Sequence, residues 1–276
     1  MKTTYLSLII LVLAFLQLDS KAQNKDSLHI VNHRWEESTL REGVTWKKGH
    51  FKGLFNSNQI INIIEIELNK KNLQKLGLEG LPNSRRKTST LADSLHALVA
   101  INGGFFDMKN GGAVDYIKVN NKVINYTRTK SARANAYLAF DEHNLRISPD
   151  SIAVIPFKNV LLAGPYLLED GKNIQLGKDA FNNNRHPRTA VALKNHKLIL
   201  LTADGRNANA EGLSLHELAD IFRWYGCSTA MNLDGGGSTA MYIKDQPAHG
   251  IVNYPSDNKQ FDHLGERTVS NIIYLK

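Results

Sequence analysis

Three apolar stretches of this chain each run straight into an aspartate set among glycines, and this repeated ending restricts the fold more than any other feature. Val99-Ala100-Ile101 leads into Asn102-Gly103-Gly104-Phe105-Phe106-Asp107, Leu198 to Ala203 leads into Asp204-Gly205-Arg206, and Ala230 to Leu233 leads into Asp234-Gly235-Gly236-Gly237-Ser238. Short apolar runs closed by turn residues read as strands. Glycine admits positive φ and lets a ligand approach the main chain closely, and its exposed N–H groups suit anionic oxygens. One such ending is an ordinary tight turn with a turn-favoured Asp. Three of them, with Arg188 and Arg206 near two, are better explained by strands that carry carboxylates to one pocket.

The remaining pattern is also mostly strand. Ile60 to Leu68 is rich in branched residues and partly alternating. Ile117 to Ile124 turns on Asn120-Asn121, Tyr166 to Ile174 on Glu169-Asp170-Gly171-Lys172, and Thr189 to Ala203 on Lys194-Asn195-His196-Lys197, each pairing two apolar runs around a hairpin turn. One helix is sharply marked: Ser214 and Glu217 make a capping box, Leu215, Leu218, Ala219 and Phe222 follow at helical spacing, and Gly226 supplies a left-handed stop. Shorter helices are expected around Lys70 to Leu76 and Leu91 to Leu98. The predicted class is α+β, a single domain with a mixed or antiparallel β-sheet core and a few helices. Residues 23–58 are polar, with isolated Trp35 and Trp46, and read as an N-terminal extension packed on a main domain at 59–276.

Residues 1–22 read as a signal peptide: Lys2 precedes the apolar run Leu6 to Leu18, and Ser20-Lys21-Ala22 puts small residues at −3 and −1 of a cleavage site. The expected mature chain begins near Gln23 and is exported, to the periplasm or beyond. No cysteine follows the apolar run, so a lipid anchor is not expected, and no later stretch has the length of a membrane span. Cys227 is the single cysteine, so the fold must hold without an intrachain disulfide; it reads as a small buried residue at a helix end. The formal charge of +8 attracts anions, phosphodiesters included. Its clusters, Lys47-Lys48, Lys70-Lys71 and Arg85-Arg86-Lys87, lack interleaved aromatics, so a nucleic-acid partner is not expected. Of the ten histidines only His29 and His33 stand at His-x-x-x-His spacing, and with no second cysteine beside them a zinc site would need scattered ligands. Gly236-Gly237-Ser238-Thr239-Ala240 touches the nucleophile-elbow pattern and a loose dinucleotide pattern. Met241-Tyr242-Ile243 after it reads as strand, where both motifs require a helix.

Taken in order, Ile101 to Asp107, Pro187-Arg188-Thr189-Ala190, Asp204-Gly205-Arg206, Gly212-Leu213-Ser214-Leu215 with Glu217-Leu218-Ala219, and Asn232 to Ser238 resemble the motif set of the phosphodiester glycosidase family. Gly265-Glu266-Arg267 with Val269-Ser270-Asn271 is similar to that family's closing motif. The resemblance runs from roughly residue 60 to the C-terminus, so 59–276 is identified as a phosphodiester glycosidase domain. It implies a hydrolase that attacks the anomeric carbon of a sugar 1-phosphodiester and releases free sugar and a phosphomonoester. On this reading Asp204 and Asp234 are the leading carboxylates, as nucleophile or as base for water, and Arg188 and Arg206 are phosphate or charge partners. Asn102, Asn232 and Ser238 orient the substrate. Gly103, Gly104, Gly235, Gly236 and Gly237 offer N–H groups, and Asp107 and Arg267 complete the binding set. The expected partner is a carbohydrate or phosphosugar, and no cofactor is required, although clustered aspartates can hold a divalent cation such as calcium. Two other readings stay open: a hydrolase of a non-phosphorylated exopolysaccharide linkage, and a non-catalytic glycan-binding protein of the cell envelope.

Overall fold

The isoleucines from Ile60 to Ile66 lie in the strand Ser57–Glu67, near the middle of an eight-stranded sheet. The computed structural model describes residues 25–276; the signal peptide and cleavage site expected from sequence lie outside the described residues. Across the large sheet the strands are Glu36–Arg41, Val44–Leu54, Ser57–Glu67, Lys197–Ala203, Arg188–Lys194, Thr229–Asn232, Tyr166–Glu169 and Lys172–Asn173. Both faces of this sheet are covered, which is why the isoleucine run is nearly continuous rather than strictly alternating. One face packs Ile61, Ile63, Leu201 and Ala203 against Leu218 and Phe222 of the helix Leu215–Trp224. The other packs Ile64, Leu200 and Val191 against Leu138, Phe140, Ile101 and Ile273, which belong to a five-stranded and a four-stranded sheet. All paired strands are antiparallel, so the fold is α+β, as expected, with no parallel pairing among the described residues.

Local chemistry explains the connections. Asn120 and Asn121, Asp170 and Gly171, and Asn195 and His196 all take positive φ, the pairwise left-handed geometry of a two-residue hairpin turn. The capping box is complete: Ser214 Oγ accepts from Glu217 N at 3.2 Å, and Glu217 Oε2 accepts from Ser214 N at 2.8 Å. Gly226, at φ 85°, follows that helix. The two shorter helices occur at Lys70–Leu73 and Thr88–Ser94. Cys227 is buried and unpaired. Among the described residues no helix is long and apolar enough to cross a membrane.

Residues 36–54, read from sequence as part of an extension lying against the body, instead add two hydrogen-bonded strands to the large sheet. Glu36–Arg41 is an outer strand with four of its six residues exposed, so its sequence carries no apolar face to announce it.

Candidate active site

The site forms where the large sheet runs out of apolar residues. On the face toward the smaller sheets, cross-strand partners fall into rows. Val44, Ile66, Leu198 and Leu193 make one, and Trp46, Ile64, Leu200 and Val191 the next. The third row is polar: Lys48, Asn62, Thr202 and Thr189. Beyond it Asp204 N donates to Ile60 O at 3.0 Å, and His50 pairs with Ile60, so Asp204 and His50 flank one strand end. Period-two alternation thus carries the Asp204 side chain to the same face as Thr202.

Asn102 ties two of the three strand endings together. Its Nδ2 donates to Asp234 O at 2.7 Å, while its Oδ1 accepts from Thr189 Oγ1 at 2.7 Å and from Ala240 N at 3.1 Å. Asp234 N donates to Gly103 O at 3.0 Å. The third ending joins through Asn253, whose Nδ2 donates to Asp204 Oδ1 and to Thr239 O, each at 3.1 Å, with Tyr254 N also donating to Asp204 Oδ1 at 2.8 Å. Asp204 Oδ2 has no partner. The same holds for Asn62 Nδ2, Thr202 Oγ1, Asn232 Oδ1 and Thr239 Oγ1. A buried polar atom left unpaired costs about 1–3 kcal/mol, so these five gather polar groups that water or a ligand would satisfy.

Both carboxyls are harder to ionise than usual. Burial pushes Asp204 up to about 7, although the Tyr254 N–H and the Asn253 amide favour its charged form. Burial also pushes Asp234 up to about 6, against the Ser238 hydroxyl, the Arg267 charge and the Gly235 N–H. Between about 3.8, the ordinary value, and about 7, the folded protein keeps on Asp204 a proton that the unfolded chain has released. Stability on this account falls as pH rises through that window. Asp204→Asn should therefore melt higher than the parent at pH 8, by a margin on the order of a few kcal/mol, and the gap should close near pH 4; a pH series of thermal melts measures it.

Beside these groups opens a cleft of about 310 Å³, lined by Gly205, Arg206, Tyr254, Asp257, Phe261 and Arg267 among others. Arg206 Nη1 reaches Ser256 Oγ at 3.4 Å, and Arg267 Nε and Nη2 bond Asp257 Oδ1 at 2.9 and 2.5 Å. Gly236 takes φ 61°, a backbone that favours glycine, and a β-carbon at Gly237 would displace the Arg267 guanidinium and the Asp257 carboxylate.

Not every expected residue has the expected placement. Arg188 is 2 % exposed, and its Nε and Nη2 donate to the carbonyls of Leu213, Phe181 and Asn184 at 2.7, 3.0 and 2.9 Å. Burial drives its guanidinium down to about 10. Arg188 thus braces the loops around the strand ending rather than presenting both faces of its fork to a phosphate. The Gly212-Leu213-Ser214 segment has the same bracing role: Leu213 and His186 exchange main-chain bonds, and Arg185 grips Glu217 at 2.6 Å. Asp107 is outside the assembly. Its carboxylate caps its own turn, accepting from Lys109 N, Asn110 N and Asn110 Nδ2 at 2.7–3.0 Å. Several glycine N–H groups expected to face substrate are engaged internally: Gly103 with Asn271 O, Gly104 with Asn271 Oδ1, Gly236 with Pro187 O. Asn232 Nδ2 likewise holds Gly164 O and Leu233 O. Among the described residues no three His, Cys, Asp or Glu side chains converge as metal ligands.

Asn253, Tyr254 and Phe261 border the site without any mark in the sequence. The Tyr254 and Phe261 rings stack at 4.1 Å, and His263 stacks on Tyr254 at 4.3 Å. They lie in an irregular segment, and irregular segments carry no periodic signal.

The described body is an antiparallel α+β fold with two buried carboxyls near a cleft that bears Arg206, Lys259 and Arg267. The model of the phosphodiester glycosidase family matches residues 96–276, and the chain belongs to that family. It is 26 % identical over 253 residues to mouse N-acetylglucosamine-1-phosphodiester alpha-N-acetylglucosaminidase, covering 81 % of this chain and 46 % of the mouse protein. It is 24 % identical over 199 residues to the SPbeta prophage-derived uncharacterized protein YomE of Bacillus subtilis strain 168, covering 63 % of this chain and 31 % of that one. The chain thus spans less than half the length of either relative. The catalytic domain of the zebrafish N-acetylglucosamine-1-phosphodiester alpha-N-acetylglucosaminidase, auto-inhibited by its pro-peptide, has the same fold, with a TM-score of 0.68 at 21 % identity over 88 % of this chain and 87 % of that one. Family membership supports a glycosidase acting on a phosphodiester-linked sugar.

Proposed function

We propose that this chain is an exported hydrolase that cuts a sugar 1-phosphodiester at the anomeric carbon, giving free sugar and a phosphomonoester. The observation that carries this reading is the adjacency of two kinds of group. Asp204 and Asp234 sit at strand ends, while Arg206 and Arg267, with Lys259, line the cleft beside them.

The chemistry follows from the leaving group. A phosphate ester departs as a stable anion, so it needs little protonation, and the demand falls on the anomeric carbon, where positive charge develops. On this reading Asp234 answers it, as nucleophile or as base for water. The Arg267 charge, the Gly235 N–H and the nearby Ser238 hydroxyl all favour its ionised form. Arg206 and Arg267 stabilise the charge on the departing phosphate. Asp204, which ionises only near neutrality, is suited to trade a proton with water or with a sugar hydroxyl. Export rests on the N-terminal pattern of Lys2, the Leu6 to Leu18 run and Ser20-Lys21-Ala22.

N-acetylglucosamine, named in the mouse relative, is the first sugar to try. The test sets methyl N-acetylglucosaminyl phosphate beside an uncharged aryl N-acetylglucosaminide and follows free sugar. Release from the diester at a rate at least tenfold above the aryl glycoside is expected, a factor worth about 1.4 kcal/mol in the transition state. Faster cleavage of the aryl glycoside would point instead to a non-phosphorylated linkage.

A further inference from the structure

On the four-stranded sheet, period-two alternation sends neighbouring side chains to opposite faces. Met241 and Ile243 of the strand Met241–Ile243 join the core against the large sheet, while Tyr242 packs with Ala100, Ile272 and Leu91 on the other side. A cavity of about 530 Å³ opens on that far side, between the helix Thr88–Ser94 and the turn after Ile243. Its volume is in the range of small-molecule sites, and none of its lining residues lines the cleft of Arg206 and Arg267.

The walls of this cavity are fixed by the protein itself. Glu266 Oε1 accepts from Ser89 N at 2.9 Å and Glu266 Oε2 from Ser89 Oγ at 2.5 Å, so that carboxylate is spent internally. Ala248, His249 and Gly250 take φ of 54°, 58° and 83° in succession, a left-handed run in which non-glycine residues are uncommon. A β-carbon at Gly250 would strike the Tyr242 ring; the turn therefore lies on that ring, which is 5 % exposed. Charge of both signs is left unspent. Lys87, Lys244, Asp93 and Asp245 line the cavity, and none of them forms an ion pair among the described residues. Burial, and after it the charges of Asp93 and Asp245, hold the Tyr242 hydroxyl above its ordinary value, which puts both carboxylates near that hydroxyl. Lys87 stands at the other end of the helix, about 9 Å from Asp93 along the axis, and pairs with Thr268 beside Glu266.

We propose that this cavity binds a short peptide with free ends, its ammonium group at Asp93, Asp245 and the Tyr242 hydroxyl and its carboxylate at Lys87. This binding is separate from the glycosidase reading above. An extended tripeptide spans ~10 Å, which matches the distance between the two ends. Its amides would meet the Thr90 hydroxyl and the Gln246 side-chain amide, both in the lining. Other small ligands suit the lining less. A phosphate would bring like charge to Asp93 and Asp245, and a polyamine would bring it to Lys87 and Lys244. A sugar ring would find no open aromatic face, since Tyr242 is the one Tyr, Phe or Trp in the lining and its ring is covered.

Isothermal titration calorimetry of the protein with trialanine, N-acetyl-trialanine and trialanine amide tests the site. Trialanine is expected to bind with a Kd of about 1 mM or tighter. Each blocked peptide should bind about tenfold or more weakly, having lost one charge that the cavity pairs. The double variant Asp93→Asn, Asp245→Asn should no longer distinguish trialanine from its acetylated form, and Lys87→Ala should no longer distinguish trialanine from its amide. All three side chains are exposed, so both variants should keep the Tm of the parent. The comparison of free and blocked peptides on wild-type protein needs neither variant. No binding of trialanine, equal affinity of wild-type protein for free and blocked peptides, or discrimination that survives in either variant would overturn the site.

Discussion

Asp234→Asn is expected to lower kcat by three or more powers of ten and to leave KM within about twofold, because the amide keeps the shape of the carboxylate and loses the charge that acts in the transition state. The main chain at this position is held independently of the side chain, by Asn102 Nδ2 on the carbonyl and by the bond from Asp234 N to Gly103 O. The variant should therefore fold and, by the same linkage as for Asp204, melt at or above the parent at neutral pH, so its loss can be assigned to chemistry. In the parent protein kcat/KM should rise as pH passes through about 6, where burial places the ionisation of this group, since the charged form is the reactive one. Steady-state kinetics of both proteins from pH 4 to 8 measure all three quantities. A loss of less than tenfold with folding intact would move the reacting carboxylate elsewhere.

Arg188→Ala should act on the fold first. Three carbonyls, of Leu213, Phe181 and Asn184, receive hydrogen bonds from this one guanidinium, and removing it leaves them without their donor in a buried place. The cost should be about 3–5 kcal/mol, which for a chain of this size lowers Tm by roughly 10 °C. Thermal unfolding of the purified variant gives the number. Had Arg188 served only as a phosphate partner, the variant would melt like the parent and show a raised KM alone.

These two residues show where sequence reasoning succeeds and where it stops. Hairpins at Asn120-Asn121 and Asn195-His196 and the helix opened by Ser214 and Glu217 were legible because their chemistry is local: a side chain bonds the backbone two or three residues away, or a residue tolerates positive φ. The strand endings at Asn102, Asp204 and Asp234 were legible for the same reason. Whether Arg188 points at a ligand or at carbonyls was not, because its acceptors come from residues 181, 184 and 213, which only the tertiary fold brings together. Asp107 misled in the opposite direction. It stands in a motif with Asn102, yet its own turn absorbs it within three residues. The polar row Lys48, Asn62, Thr202 and Thr189 is drawn from four strands, and no single stretch of sequence contains it.

The central claim concerns which bond breaks, and hydrolysis of methyl N-acetylglucosaminyl phosphate in ¹⁸O-labelled water reads that directly. Attack at the anomeric carbon places the label on C1 of the released sugar and leaves methyl phosphate unlabelled, which is the predicted result by mass spectrometry. Label in the phosphate, with sugar 1-phosphate or methanol among the products, would mean attack at phosphorus and would contradict the account.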